Sequence, residues 1–166
     1  VYTRVHEDEL AQFLSDFDIG TATSFSGITE GVENSNFRLS TTKGEYILTL
    51  YEKRVNVDDL PFFIGLMRHL SEAGIKCPLP VADTDGVVLK QLNDRAAAIV
   101  TFLNGTSNNQ PNAARCHSAG QALARLHMAA TDFDIDRVNA LNSTAWAPLL
   151  AASVDSITPQ DTKNII

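Results

Sequence analysis

The strongest constraint on the fold is the stretch from Gly27 to Lys53, which reads GITEGVENSNFRLSTTKGEYILTLYEK. Two β-type segments, Phe37–Ser40 and Tyr46–Tyr51, lie on either side of a short polar turn and predict a hairpin. The loop before them is rich in Gly and Asn, which accept positive φ and allow a backbone to approach a ligand closely. The loop is therefore either an ordinary turn or a cradle whose backbone N–H groups face phosphates.

A helix with clear start and stop signals follows the hairpin. The carboxylates of Asp58 and Asp59 precede Pro61, a combination typical of a helix N-terminus, and Gly74 is placed to end the helix. The predicted helix is Leu60–Ala73. Its apolar residues have helical spacing and are Phe62, Phe63, Leu66, Met67 and Leu70.

The remaining segments complete one small sheet and begin a helical region. An amphipathic helix is predicted at Glu7–Phe17, before the sheet. The further strands are predicted at Thr21–Ser26, Val87–Gln91 and Ala96–Phe102, where Leu103–Gly105 breaks the pattern. Two helices are predicted after a polar linker, Pro111–Ala130 and Ala145–Ser153.

Several segments together resemble one family. GITEGVENSNFRL, YILTLYEKR, DLPFFIGLMRHL and KCPLPV, followed by GQALARLH, closely resemble the homoserine kinases of the aminoglycoside-phosphotransferase and choline-kinase-like superfamily. The resemblance implies an α+β, protein-kinase-like fold. In that fold, residues 1–104 form a small antiparallel sheet lobe with one packed helix, which binds the nucleotide. Residues 105–166 are then the first helices of a truncated helical lobe.

The resemblance also implies a reaction. ATP and L-homoserine would give ADP and O-phospho-L-homoserine for threonine biosynthesis, with ATP and Mg²⁺ as cofactors. The alternatives are a kinase for an aminoglycoside, choline or a sugar, and a non-catalytic nucleotide-binding or interaction module. The chain begins at Val1 rather than Met, and we expect a fragment of a kinase roughly twice as long, since two domains of typical size would need that length.

The resemblance assigns nucleotide contacts to two segments. The loop over the phosphates would use Gly31, Asn34, Ser35 and Asn36. The backbone facing the adenine base would belong to Thr101, Phe102 and Leu103.

The phosphate-binding cation of the superfamily is missing from its usual place in the third strand, which is Thr49 here. Strand alternation puts Thr49, Tyr51 and Lys53 on one face. Lys53 is therefore the candidate phosphate contact, and the alternative is a solvated lysine at a strand end. The usual carboxylate partner on the next helix is also absent, because no acidic residue occurs between Leu60 and His69.

We find no catalytic residue and no metal ligand in this chain. The superfamily carries its base and metal-binding acids on a His-x-Asp loop and a later Asp-Phe pair, and Asp132-Phe133 has no such loop before it. His127 is interpreted as structural, and His6, His69 and His117 as surface residues.

Composition excludes several other classes. The net charge of −7 argues against a nucleic-acid partner. No apolar run has membrane-spanning length, and no signal peptide is recognisable, so we expect a cytoplasmic protein without a membrane partner. Cys77 and Cys116 lack metal-ligand spacing and are interpreted as reduced, buried residues.

Overall fold

The computed structural model describes residues 2–29, 33–52, 55–106 and 108–154. The chain divides into two compact units, Val1–Ile135 and Asp136–Ile166. The first unit contains the helices α1 (Glu7–Leu14), α2 (Leu60–Glu72) and α3 (Ala113–Ala129) and the strands β1 (Ala22–Ile28), β2 (Ser35–Thr41), β3 (Gly44–Tyr51), β4 (Pro80–Val81), β5 (Lys90–Leu92) and β6 (Arg95–Thr101). The second unit contains α4 (Ser143–Val154).

The strands form one antiparallel sheet in the order β1-β2-β3-β6-β4, and β5 also pairs with β6. Thr41 pairs with Gly44, so the predicted hairpin closes through a two-residue turn. β3 lies in the middle of the sheet between β2 and β6. The side chains on its two faces therefore show which side of the sheet belongs to the core and which side is open to other contacts.

One face of β3 belongs to the main hydrophobic core. Leu48 and Leu50 are fully buried on this face and belong to the same core cluster as α1. The amphipathic helix predicted at Glu7–Phe17 is confirmed as α1, although it ends at Leu14; Leu10, Phe13 and Leu14 are buried, and so is Phe17 beyond its end. Burial on this side leaves the opposite face of β2 and β3 for other contacts.

α2 covers part of that opposite face. Ile64 packs with Ala98 of β6 and with the half-buried Tyr51. The predicted apolar stripe of α2 is wrong in one respect: Ile64 is buried, whereas Phe63 is 38% exposed. Phe62 instead contacts Phe133 edge to face, with ring centroids 5.5 Å apart. The aromatic side of α2 thus faces the segment after α3 rather than the sheet.

The predicted carboxylate cap of α2 is also wrong. Asp59 has helical dihedrals and makes no side-chain cap hydrogen bond. The chain enters α2 through a 3₁₀ turn, Val57–Asp59, and the Asn56 side chain accepts a hydrogen bond from the N–H of Asp58 at 3.2 Å. The 3₁₀ turn begins the helical region before α2 itself. The N–H groups that need a cap at the start of this region therefore occur before Asp59, and Asn56 caps them.

The fifth strand, β5, has other boundaries than the sequence predicted. The strand predicted at Val87–Gln91 begins only at Lys90, because the carboxylate of Asp83 accepts hydrogen bonds from the N–H groups of Asp85 and Val87 and holds this segment in a turn. β5 and β6 then join through Asn93 and Asp94, which have φ of 51° and 57°. These two residue types tolerate the left-handed region best after glycine.

The predicted helices after the linker are confirmed as α3 and α4. α3 buries no residue in the part of the chain that the structure describes, and Leu123 is 54% exposed. Cys116 is exposed too, which corrects its predicted burial. Among the described residues, no helix is both long and apolar enough to cross a membrane.

Candidate functional site

The open face of the sheet brings two of the predicted nucleotide contacts together. Asn36 of β2 pairs with Thr49 of β3, and the Thr49 hydroxyl donates to Asn36 Oδ1 at 2.8 Å. Both residues lie on the face opposite Leu48. Thr49 occupies the position where the resembled family has a cation, and here its hydroxyl holds the side-chain amide of Asn36.

The neighbouring Asn34 has its carbonyl oxygen turned inward. The N–H of Glu52 donates to Asn34 Oδ1 at 3.4 Å, and because a backbone N–H can only donate, this contact fixes which end of the amide faces the protein. The NH₂ group of Asn34 is therefore directed away from that contact. Two amides with engaged carbonyl oxygens suit a ligand that accepts hydrogen bonds, such as a phosphate.

Ser35 lies between these two amides but faces the protein interior. It is completely buried, its hydroxyl accepts the N–H groups of Tyr2 and Thr3 at 2.8 and 2.9 Å, and it donates to Glu52 Oε1 at 2.5 Å. A direct nucleotide contact of Ser35 stays a prediction. The observed hydrogen bonds give its hydroxyl an internal role.

Glu52, which follows β3, connects Ser35 of β2 to Arg95 of β6. Arg95 Nε donates to Glu52 Oε2 at 2.9 Å, and the N–H of Thr3 donates to Oε1 at 3.2 Å. Burial alone would raise the pKa of Glu52, but the hydrogen bonds from Ser35, Arg95 and Thr3 and the charge of Arg95 outweigh it, so the pKa is lowered. Glu52 is therefore an ionised carboxylate held by donors on three sides.

The segment predicted to bind the base, residues 101–103, differs from residue to residue in whether its backbone N–H is already hydrogen-bonded. The N–H of Thr101 donates to Leu79 O at 2.9 Å, and that of Phe102 donates to Glu45 O at 3.0 Å. The N–H of Leu103 has no hydrogen-bond partner among the described residues. Of the three predicted contacts, Leu103 therefore has the backbone donor suited to a base edge.

Arg38 packs against Phe102, the residue that follows β6. Its guanidinium carbon lies 4.6 Å from the centre of the Phe102 ring, and its Nε pairs with Glu45 Oε2 at 3.0 Å. A guanidinium over an aromatic face is an attractive arrangement. Sequence reasoning missed this residue, although Arg38 has the same strand parity as Asn36.

Two of the predicted contacts, Gly31 and Lys53, lie outside the described residues. Their roles stay predictions. Tyr51, on the same face as Thr49, is covered by the α2 cluster, and burial raises the pKa of its hydroxyl.

His69 is not the surface residue that the sequence suggested. Its Nε2 lies 2.7 Å from Ala129 O and 3.3 Å from Asp132 Oδ1, and its ring contacts Phe133. A Cβ at Gly65 would lie 3.0 Å from Ile135 Cδ1. The glycine in the middle of α2 was the available signal that another segment packs there.

Two further features lie away from this face. No group of three or more His, Cys, Asp or Glu side chains suited to a metal occurs within residues 2–29, 33–52, 55–106 and 108–154. A cavity of about 510 Å³ lies between α1 and β1, lined in part by Leu10, Leu14, Thr21 and Phe25. None of the predicted nucleotide contacts is among its lining residues.

Comparison with known proteins agrees with the resemblance read from the sequence. A homoserine kinase of Bradyrhizobium diazoefficiens is 55% identical over 162 residues, covering 96% of this chain and 50% of that protein. A homoserine kinase of Sinorhizobium fredii is 56% identical over 149 residues, covering 90% of this chain and 46% of that protein. The chain thus spans about half the length of the curated relatives it matches.

The fold comparison points the same way. A crystal structure of spectinomycin phosphotransferase APH(9)-Ia, in complex with ADP and spectinomycin, matches with a TM-score of 0.66 at 14% identity, covering 94% of this chain and 48% of that one. The predicted α+β, protein-kinase-like fold is confirmed. A family model for phosphotransferase enzymes, APH, matches residues 24–164. The chain belongs to the phosphotransferase enzyme family.

Proposed function

We propose that this chain supplies the nucleotide-binding part of a homoserine kinase, which converts ATP and L-homoserine to ADP and O-phospho-L-homoserine. The observation that carries the proposal is the identity of 55% over 96% of the chain to a homoserine kinase. Threonine biosynthesis and a cytoplasmic location follow from the same proposal. So does a division into a nucleotide-binding lobe, residues 1–104, and the start of a helical lobe, residues 105–166.

The open face of the sheet offers a role for each described contact. The amide groups of Asn34 and Asn36 would donate to phosphate oxygens, because their carbonyl oxygens are engaged with Glu52 and Thr49. The N–H of Leu103 would donate to the base. Holding the nucleotide at both ends orients its terminal phosphate for attack by the acceptor hydroxyl.

Mg²⁺ enters this proposal with ATP rather than as a resident ion. The described residues do not provide a group of three metal-binding side chains, and Asp132 faces His69. When bound with ATP, Mg²⁺ would neutralise charge on the phosphates.

The proposal is tested by joining this chain to the carboxy-terminal half of two different relatives. One chimera carries that half of the Bradyrhizobium diazoefficiens homoserine kinase, and the other carries that of the spectinomycin phosphotransferase. We expect only the first to release ADP with its acceptor, L-homoserine, since the two halves must fit each other. Spectinomycin-dependent turnover by the second chimera, or a folded but inactive first chimera, would contradict the proposal.

A substitution of Lys53 tests the predicted cation. In the active chimera, Lys53→Ala should raise the KM for ATP by about tenfold or more, because a hydrogen bond to a charged group contributes roughly 1.5–3 kcal/mol. The matched control is Lys43→Ala, which removes an exposed lysine paired with Asp18 at the hairpin turn and should leave the KM unchanged. Equal KM values for the two variants would make Lys53 a surface residue.

A further inference from the structure

A cluster of hydrogen-bonded side chains joins four separate segments beneath the predicted phosphate contacts. Ser35 begins β2, Glu52 follows β3, Arg95 begins β6, and the N–H groups of Tyr2 and Thr3 come from the amino-terminal segment. The side chain of Glu52 is 10% exposed and that of Arg95 is 25% exposed. The Glu52 carboxylate accepts hydrogen bonds from the other three segments, through Ser35, Arg95 and Thr3.

We propose that Glu52 is a positioning residue, which sets the amides of Asn34 and Asn36 for the phosphates of a nucleotide. The inference rests on the proposed function and adds to it a residue that does not touch the nucleotide. Glu52 acts through two neighbours: its carboxylate holds the hydroxyl of Ser35, and its backbone N–H holds the side chain of Asn34.

The chemistry of the cluster requires a carboxylate. Oε1 accepts from the Ser35 hydroxyl at 2.5 Å and from the Thr3 N–H at 3.2 Å, and Oε2 accepts from Arg95 Nε at 2.9 Å. An ionised carboxylate has only acceptor sites and satisfies all three donors. A glutamine has one acceptor oxygen and places an NH₂ group against one of the same donors.

The strand geometry transmits this anchoring to the site. Ser35 faces inward and Asn36 faces outward, because successive side chains of a strand alternate. Asn34 lies one residue before β2, and the N–H of Glu52 holds its side chain. Fixing the Ser35 hydroxyl therefore fixes the backbone from which Asn34 and Asn36 project. An amide that is displaced from its phosphate oxygen loses a hydrogen bond to a charged group, and one such bond is enough to change an affinity by about tenfold.

The same sheet contains a matched ion pair away from the site. Asp83 and Lys90 pair at 2.7 Å, and their side chains are 2% and 23% exposed. Their burial resembles that of Glu52 and Arg95, but Asp83 lies in the turn before β5. Asp83→Asn therefore reproduces the loss of a buried carboxylate charge without touching Ser35 or Asn34.

The experiment measures binding of ATP and of adenosine to the 166-residue chain by NMR titration. We expect Glu52→Gln to weaken ATP binding by about tenfold or more and to leave adenosine binding unchanged, since adenosine has no phosphate. Asp83→Asn should change neither affinity at a temperature where both variants are folded, as judged by their melting curves. Ser35→Ala should weaken ATP binding, and its effect should not add to that of Glu52→Gln.

Three results would contradict the positioning role or the phosphate site. Unchanged ATP binding by folded Glu52→Gln overturns the positioning role alone. Equal losses in Glu52→Gln and Asp83→Asn reduce Glu52 to a stabilising residue and overturn it as well. If the unmodified chain binds ATP no better than adenosine, the phosphate site itself is refuted, and the proposed function loses its nucleotide contact.

Discussion

The 166-residue chain, purified alone, should release ADP with L-homoserine at least about a thousandfold more slowly than the homoserine kinase chimera. Phosphoryl transfer needs a residue to position or deprotonate the attacking hydroxyl and groups to stabilise the phosphates. Residues in such acid–base roles contribute typically ~10²–10⁴-fold each. In the described part of the chain, Asp132 is beside His69, and the Glu52 carboxylate is engaged by Ser35, Thr3 and Arg95.

The assay follows ADP by a coupled reaction, with Mg²⁺ and L-homoserine, beside the chimera at equal concentration. Contaminating kinase is identified by an identical preparation of Glu52→Gln. A rate that is equal in the two preparations comes from a contaminant, whereas turnover by the chain itself should fall with the ATP affinity of the variant. Turnover close to that of the chimera would contradict the prediction. It would mean that acids among Asp132, Asp134 and Asp136 act in catalysis.

Sequence reasoning predicted the sheet well because its signals are local. The alternation in β2 and β3 separates Leu39 and Leu48 on the core face from Asn36 and Thr49 on the other, and the structure has this arrangement. Continued back to Ser35, the same alternation puts Ser35 on the core face with Phe37 and leaves Asn36 on the other face. The internal role of Ser35 was therefore readable from strand parity, although the loop composition suggested a ligand contact.

The contacts that sequence reasoning missed are between distant segments. Glu52 and Arg95 are 43 residues apart, and His69 is 60 residues from Ala129. No periodic pattern in the sequence indicates either contact. The first depends on where β6 lies in the fold, and the second depends on where the end of α3 lies. The cap of α2 was missed for a local reason: a 3₁₀ turn moved the start of the helical region from Asp59 to Asn56.

Leu48→Ala should be the most destabilising single change among these sites, with a loss of about 3 kcal/mol in the free energy of unfolding. Leu48 is fully buried in the central strand and contacts the core shared with α1. Leu→Ala in a core removes transfer free energy and leaves a cavity, at a cost of roughly 2–5 kcal/mol. Small domains have only about 5–15 kcal/mol in total.

The measurement is urea unfolding of the 166-residue chain followed by circular dichroism, and the control is Leu123→Ala on α3, whose side chain is 54% exposed. Both variants lose the same atoms, so the difference between their free energies of unfolding reports mainly the difference in burial, and the change in helix or strand propensity is the smaller contribution. Leu123→Ala should stay within about 0.5 kcal/mol of the unmodified chain. Equal shifts would show that β3 is not the centre of the cooperative core. Thr49 and Asn36 would then lack the rigid strand on which the proposed phosphate site depends.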